Sequence, residues 1–301
     1  MSAIPISQPV KILLAVDGSE HAMAAINLVH DMPLPLDSNI AVTAVLIPRE
    51  AGLKAYALRH FLEQTEKKLG DKQAQITTHL ITGSPAVEII QQAHQMQPDL
   101  IVMGAKGLRA TLGILLGGVA QQVVEYANCP VLVVRAPYEG IRNILLVSDG
   151  SRQSETAILY TSRFPFAREA RLQLMHVLPP EPSPEFLSRT WVSTGEPMFV
   201  YSIPELEEDI AQSIAEEEKQ GQVLLAMNKQ MLEEKGMDAE TVLLRGDAAT
   251  EILSFAKEKD IDLIIAGSRG LGGFEGWLLG SVSRKLVHYA GCSVLIVKGE
   301  E

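Results

Sequence analysis

The sequence predicts an α/β protein of two tandem Rossmann-like domains, each a five-stranded parallel sheet with helices on both faces. Three observations carry this. The chain repeats itself, each half alternates strand and helix signals, and the same glycine spacing follows equivalent strands in both halves. Val10-Lys11-Ile12-Leu13-Leu14-Ala15-Val16-Asp17-Gly18-Ser19 returns as Ile141-Arg142-Asn143-Ile144-Leu145-Leu146-Val147-Ser148-Asp149-Gly150-Ser151. Pro98-Asp99-Leu100-Ile101-Val102-Met103-Gly104 returns as Ile261-Asp262-Leu263-Ile264-Ile265-Ala266-Gly267. The segment from Tyr126 to Val134 returns from Tyr289 to Val297. The offset is 132 residues up to Val45/Val177 and 163 from Gly83/Gly246 onward, so the second half carries about 31 extra residues between those points. Three matched blocks in one order mean duplication of a whole domain. A length of 301 residues fits two domains of ~150 residues. The predicted boundaries are 1–137 and 138–301, with the insertion at about 179–210.

The elements of the first half follow in order. Ile12 to Val16 is a short continuous apolar run, as in a strand buried on both faces. Ser19 to Val29 spaces Ala22, Ala25, Ile26 and Val29 at three and four, which is helical. Asn39 to Ile47 reads as the second strand, Gly52 to Leu69 as a helix and Gln75 to Ile81 as the third strand. Ser84-Pro85 opens a helix with cap and first-turn residues. Leu100 to Met103 is the fourth strand. A helix after the glycine loop runs to about Tyr126, and Val131 to Val134 closes the unit. Five strands and four helices in βα alternation give a parallel sheet. Right-handed crossovers place the ligand crevice at the carboxyl ends of the strands, near the reversal of strand order. Asp17, Asp149, Gly104 and Gly267 all fall at such ends.

Composition narrows the function. The net charge is −11 with no strongly basic run, which argues against nucleic-acid binding. No apolar stretch approaches the ~18 residues of a membrane span. Met1 to Pro9 carries no signal-peptide pattern, and a cytoplasmic protein is expected. Cys129 and Cys292 occupy equivalent positions before the last strand of each half and read as buried thiols. The seven histidines show no metal-ligand spacing, His176 and His288 included. No Ser/His/Asp arrangement or His-Glu-x-x-His is present.

The two glycine loops differ. The second reads Gly267-Ser268-Arg269-Gly270, nine residues, then Gly280-Ser281-Val282-Ser283. The first reads Gly104-Ala105-Lys106-Gly107, nine residues, then Gly117-Gly118-Val119-Ala120. Glycines let backbone amides approach an anion without a Cβ in the way. A helix opening at Gly280 offers free N–H groups to phosphate, and two serines add hydroxyl donors. Arg269, and Arg284-Lys285 beyond it, add cations. Asp149 suits ribose hydroxyls or a magnesium ion rather than bare phosphate. The competing explanation is that the glycines only make tight turns. No Gly-x4-Gly-Lys-Ser/Thr is present, and the Gly-x-Gly at Gly270 and Gly272 is not continued as Gly-x-Gly-x2-Gly, so a P-loop and a dinucleotide fingerprint are excluded.

Gly-x2-Gly-x9-Gly-Ser after a strand, with Asp-Gly-Ser ending the first strand, resembles the ATP-binding branch of the universal stress protein family. The resemblance covers nearly the whole chain as two tandem domains. It implies that Gly267, Gly270, Gly280, Ser281, Val282 and Ser283 hold the phosphates and ribose of ATP, with Arg269 close by. It also implies that Asp149 lies near the ribose, accompanied by Mg or Mn held with the nucleotide, and that Val177 touches the adenine. In the first half the same positions are Asp17, Val45, Gly104, Gly107, Gly117, Gly118, Val119 and Ala120. Ser281 has become Gly118, Ser283 has become Ala120, and Arg284-Lys285 has become Gln121-Gln122. A hydrogen bond to a charged group contributes about 1.5–3 kcal/mol, so losing two predicts binding weaker by roughly two to four powers of ten. Lys106 and Arg109 offset part of this. The nucleotide is therefore expected mainly in the second domain.

The insertion begins after Pro179-Pro180, is rich in proline, and holds Phe186, Trp191, Phe199 and Tyr201. Either it packs on its own domain or it forms a lid or partner surface. A helix is predicted from Pro204 to about Lys235, with Leu206, Ile210 and Ile214 on one face.

The leading expectation is a nucleotide-dependent stress-response protein without a catalytic base, so that ATP hydrolysis is at most slow. The alternative is a non-nucleotide scaffold or carrier, in which the first half, with Ile114-Leu115-Leu116, takes an apolar ligand or packs on a partner. An ATP-using transferase would need Ser-Gly-Gly-x-Asp-Ser or His-x-Gly-His, and neither is present. The family usually dimerises through its last strand. Val131 to Val134 and Val294 to Val297 are apolar edges that need covering, and pairing them within one chain makes a pseudo-dimer. Association of two such chains is left open.

Overall fold

The computed structural model describes residues 9–50, 52–108, 115–163, 170–181, 203–270 and 279–299. The aromatic part of the insertion lies outside the described residues. In the first half the strands are β1 (Lys11–Val16), β2 (Asn39–Leu46), β3 (Gln75–Thr82), β4 (Leu100–Gly104) and β5 (Val131–Val134). The helices are α1 (Glu20–Asp31), α2 (Leu53–Leu69), α3 (Pro85–Met96) and α4 (Gly118–Tyr126). In the second half β6 (Asn143–Val147), β7 (Arg171–Leu178), β8 (Glu240–Arg245), β9 (Leu263–Gly267) and β10 (Ser293–Val297) repeat the set. There the described helices are α5 (Arg152–Arg163), α6 (Ile203–Glu233), α7 (Ala248–Glu258) and α8 (Ser281–Tyr289).

All ten strands form one sheet in the order β3-β2-β1-β4-β5-β10-β9-β6-β7-β8. Within each half every pairing is parallel. The halves meet at an antiparallel pair, with Val133 opposite Val294 and Val131 opposite Ile296. The last strands therefore cover each other, as their apolar sequences require, and the single chain forms a pseudo-dimer. In each half the first strand lies between the second and the fourth. That is where the strand order reverses, and a crevice opens at the carboxyl ends there.

Side chains alternate across the sheet. Ile12, Leu14 and Val16 enter one core, while Leu13 and Ala15 enter the other. Both cores run through both halves, because the sheet is continuous. The helix starts obey local chemistry. Ser19 caps α1 by accepting the Ala22 N–H, and Asp247 caps α7 by accepting the Thr250 N–H. Gly117 and Gly280 precede α4 and α8 and offer no side chain to the first turn.

Candidate functional site

The two crevices share one backbone. Asp17 follows β1 and Asp149 follows β6. Each carboxylate bends back on its own turn, Asp17 Oδ1 accepting the Ser19 N–H and Asp149 Oδ1 the Ser151 N–H, both at 3.0 Å. The glycine after each aspartate makes that turn with positive φ, +85° at Gly18 and +78° at Gly150. Across the crevice, Asp17 Oδ2 accepts the Leu108 N–H at 3.0 Å. Ser19 donates to the Lys106 carbonyl at 3.0 Å, and Ser151 to the Arg269 carbonyl at 3.4 Å. The Asp-Gly-Ser segment therefore clamps the glycine loop to the first strand. Asp149 stands at the end of the first strand of its half, engaged with its own turn and beside Gly270 of the loop.

Each glycine has a local reason. A Cβ on Gly104 would stand 2.7 Å from the backbone carbonyl carbon of His21, and one on Gly267 2.8 Å from that of Gln153. These two glycines let α1 and α5 press against the strands. A Cβ on Gly107 or Gly270 would overlap the carboxylate of Asp17 or Asp149. Beyond these, the Gly117 N–H donates to the Ala105 carbonyl and the Gly280 N–H to the Ser268 carbonyl, both at 2.8 Å. The glycine pattern thus builds the loop in both halves, whatever the loop binds.

The start of α8 is where the predicted residues converge. Ser281, Val282 and Ser283 occupy its first turn. Their N–H groups have no partner within the helix, since the first intrahelical bond runs from the Arg284 N–H to the Gly280 carbonyl at 2.9 Å. Ser281 is exposed and Val282 half-buried. Ser283 is buried and donates to the Gly267 carbonyl at 2.7 Å, so in this arrangement its hydroxyl braces the loop. Two further expectations also change. Arg284 reaches Glu125 of the first domain at 3.4 Å, and Lys285 reaches Asp247 at 3.5 Å. Both cations counted beside the loop are turned to other carboxylates. Arg269 stays at the loop, half-buried, near Lys298. Burial is the main force pulling Lys298 down to about 8, and Arg269 adds to it. Val177 lies in β7 beside β8, half-buried, equivalent to Val45 in β2. Residues 271–278 lie outside the described residues.

In the first half the crevice encloses a cavity of about 370 Å³. Asp17, Val45, Gly104, Gly107 and Gly117 all line it, as do Gly118, Val119 and Ala120. The sequence did not bring Thr43, Lys54 and Leu58 to this place; they line it from β2 and α2. Nor did it signal Arg135, which follows β5. Its guanidinium is buried and donates to the Val287 carbonyl at 2.9 Å, the His288 carbonyl at 3.4 Å and the Leu115 carbonyl. Lys298, its equivalent after β10, donates to the Glu125 carbonyl at 3.0 Å. Each domain thus sets a cation on the carboxyl end of the other domain's last helix, where the helix dipole favours it. Aligning the repeat to its last residues would have found this pair. Burial pushes the Cys129 and Cys292 thiols up to about 11, which favours the thiol over the thiolate near neutral pH.

Two five-stranded units of order 3-2-1-4-5, each with a glycine loop leading to a helix start, define a tandem α/β protein with a crevice in each half. A family model, the universal stress protein family, matches residues 10–135 and 140–298, and the chain belongs to that family. A universal stress protein of Mycolicibacterium smegmatis is 28% identical over 310 residues, covering 95% of this chain and 96% of the relative. The Bacillus subtilis universal stress protein YxiE is 37% identical over 155 residues, covering 52% of this chain and 97% of its own. Among solved structures, a universal stress protein from Archaeoglobus fulgidus has a TM-score of 0.65 at 18% identity, covering 98% of this chain and 99% of its own. That likeness concerns the fold.

Among the described residues no helix is long and apolar enough to cross a membrane, and no group of three His, Cys, Asp or Glu side chains is placed to hold a metal.

Proposed function

We propose that this universal stress protein is a cytoplasmic adenine-nucleotide-binding protein that takes ATP in its second domain and signals through the nucleotide-bound state. The start of α8 carries this reading. Three N–H groups without helical partners and the exposed Ser281 hydroxyl meet at the switch point, with Arg269 beside them. Such a helix start attracts phosphate through its dipole and its unpaired donors. Asp149 stands beside Gly270, where it would suit ribose hydroxyls, and Val177 would meet the base. A magnesium or manganese ion would depend mainly on the phosphates, since Asp149 is the one carboxylate proposed to join it. Among the described residues we assign no general base to the crevice, so turnover of bound ATP is expected to be slow.

Calorimetric titration of the full chain with Mg-ATP tests this. The expected result is one ATP per chain. Ser281→Asp sets a carboxylate on the first residue of α8, where it favours the helix but repels phosphate. It should weaken ATP binding at least a hundredfold without lowering the melting temperature. A wild-type chain with no measurable affinity for ATP, or an S281D chain that binds it unchanged, would overturn the proposal.

A further inference from the structure

The cavity of the first domain has a chemistry of its own. Its volume, about 370 Å³, lies in the range of small-molecule sites, roughly 300–1,000 Å³. Its walls are apolar side chains, among them Val16, Leu58, Ile89, Met103 and Leu116, each buried. Two polar side chains of the walls are engaged: Thr43 donates to the Gln92 side chain at 2.7 Å, and Asp17 accepts from Ser19 and Leu108. Lys54 and Lys106 bring positive character to the lining, which also includes Gly118 and Val119 of the α4 start. The phosphate-facing hydroxyl of the other domain is missing, because Gly118 stands where the second domain has Ser281.

Two substitutions within the repeat make this charge and this wall peculiar to the first domain. The equivalent of Lys54 is Glu217, a carboxylate bound to Arg245 at 2.6 Å. The equivalent of Leu58 is Gly221, where a Cβ would stand 2.9 Å from Leu243 and 3.1 Å from Leu178. The alignment of α2 with α6 is supported by packing, since Phe61 lies nearest the turn glycine Gly18 as its counterpart Leu224 lies against Gly150. The same fold therefore sets a cation and a branched apolar wall in one crevice, and a carboxylate and a glycine in the other.

We propose that the first domain is a second, independent binding site for an amphipathic monocarboxylic acid. The apolar body would fill the cavity, and the carboxylate would meet the cationic groups of its lining, Lys54 and Lys106, with the α4 start. Filling the cavity removes apolar surface from water on both partners. A single negative charge matches the donors present, whereas a triphosphate would lack the hydroxyl that Gly118 has removed. The inference rests on the reading that nucleotide occupies the second domain, and the following experiment separates the two.

Dodecanoate, below its aggregation concentration, is titrated calorimetrically into the full chain with and without saturating ATP. The expected result is one dodecanoate per chain, unaffected by ATP and by Ser281→Asp. Gly118→Asp should weaken dodecanoate at least tenfold while leaving the melting temperature and ATP binding unchanged, because a Cβ at Gly118 meets nothing within 4 Å. Lys54→Glu, which copies the charge of the second domain, should weaken it similarly. Absence of dodecanoate binding, competition between dodecanoate and ATP, or equal binding of dodecanol would each overturn the proposal. Dodecanoate binding by a chain that ignores ATP would leave it standing and defeat only the nucleotide reading.

Discussion

The two glycine loops have the same backbone and different contents. Both carry the aspartate clamp, both press a glycine against the helix after the first strand, and both open a helix through an uncapped glycine. The differences proposed to face ligands sit elsewhere, at 118 against 281, 54 against 217 and 58 against 221. A motif that survives duplication in both copies is thus explained first by the packing it permits. The chemistry is read from the positions that packing leaves open. Ser283 illustrates the distinction, because its hydroxyl braces the Gly267 carbonyl. Its replacement by Ala120 removes a brace, and the difference in donors between the two helix starts narrows to the single hydroxyl of Ser281.

The sharpest way to break this comparison is to overfill the shared frame. Gly104→Val and Gly267→Val each drive a side chain into helix backbone less than 3 Å away, which cannot rotate aside. Overpacking costs typically 1–3 kcal/mol and sometimes more, and both variants should lose about 3 kcal/mol in urea denaturation. Equal losses support one frame used twice. A difference beyond about 1 kcal/mol between them would mean that the two loops are built differently.

The next effect concerns the seam. Arg135 bridges the Leu115 carbonyl of the first glycine loop to the last turn of α8 in the other domain. Arg135→Met would leave buried carbonyls without donors, at about 1–3 kcal/mol for such groups. Part of this is offset, because Arg135 Nε has no partner and burial holds the guanidinium below its ordinary range. A net loss of about 2 kcal/mol is expected. Lys298→Met removes one donor and one poorly solvated charge together and should change stability by less than about 1 kcal/mol. Matching losses in denaturation would show that the pseudo-twofold seam treats its cations alike.

Gly118→Ser sharpens the comparison from the ligand side. It restores the hydroxyl that distinguishes the second helix start, in a position with room for it. One hydrogen bond to a charged group contributes about 1.5–3 kcal/mol, so ATP affinity in the first domain should rise roughly tenfold to a hundredfold. This is measured best in the S281D background, where the second site is silent. No gain would place the discrimination in Lys54 and Leu58 instead.

Much of this is legible in the sequence. Strand and helix bounds agree with the apolar periods to within a few residues, and α6 runs Ile203–Glu233 where Pro204 to Lys235 was expected. The seam was legible because two apolar last strands cannot both stay uncovered. What was not legible depends on which backbone lies opposite which side chain. Nothing in Gly104 or Gly107 says that one faces a helix and the other a carboxylate. Arg284 and Lys285 look like phosphate cations until Glu125 and Asp247 are seen beside them. Lys54 reaches the cavity only because α2 packs over β2, and the insertion breaks the repeat offset just where α2 and α6 correspond.

The smallest expected effect lies at the base of the first loop, and it too has a partner that lacks it. The Ala136 N–H donates to His21 Nδ1 at 2.9 Å, which requires that nitrogen to be unprotonated. Burial, then Lys106 and Arg135, hold His21 below its ordinary value, with Glu20 opposing them. An unfolded chain takes up the proton near pH 6.5, while the folded chain resists it. The unfolded state then binds more protons as pH falls, so the stability linked to His21 is complete above about pH 6.5 and is lost as pH drops through that region toward the lower folded value. The equivalent residue of the second domain is Gln153, which does not titrate. Melting curves at pH 7.5 and 5.5 should show a loss for the wild-type chain that is reduced in His21→Gln. The same loss in both would mean that the ring exchanges its proton without disturbing the Ala136 bond, and that the two loops do not differ in their response to acid.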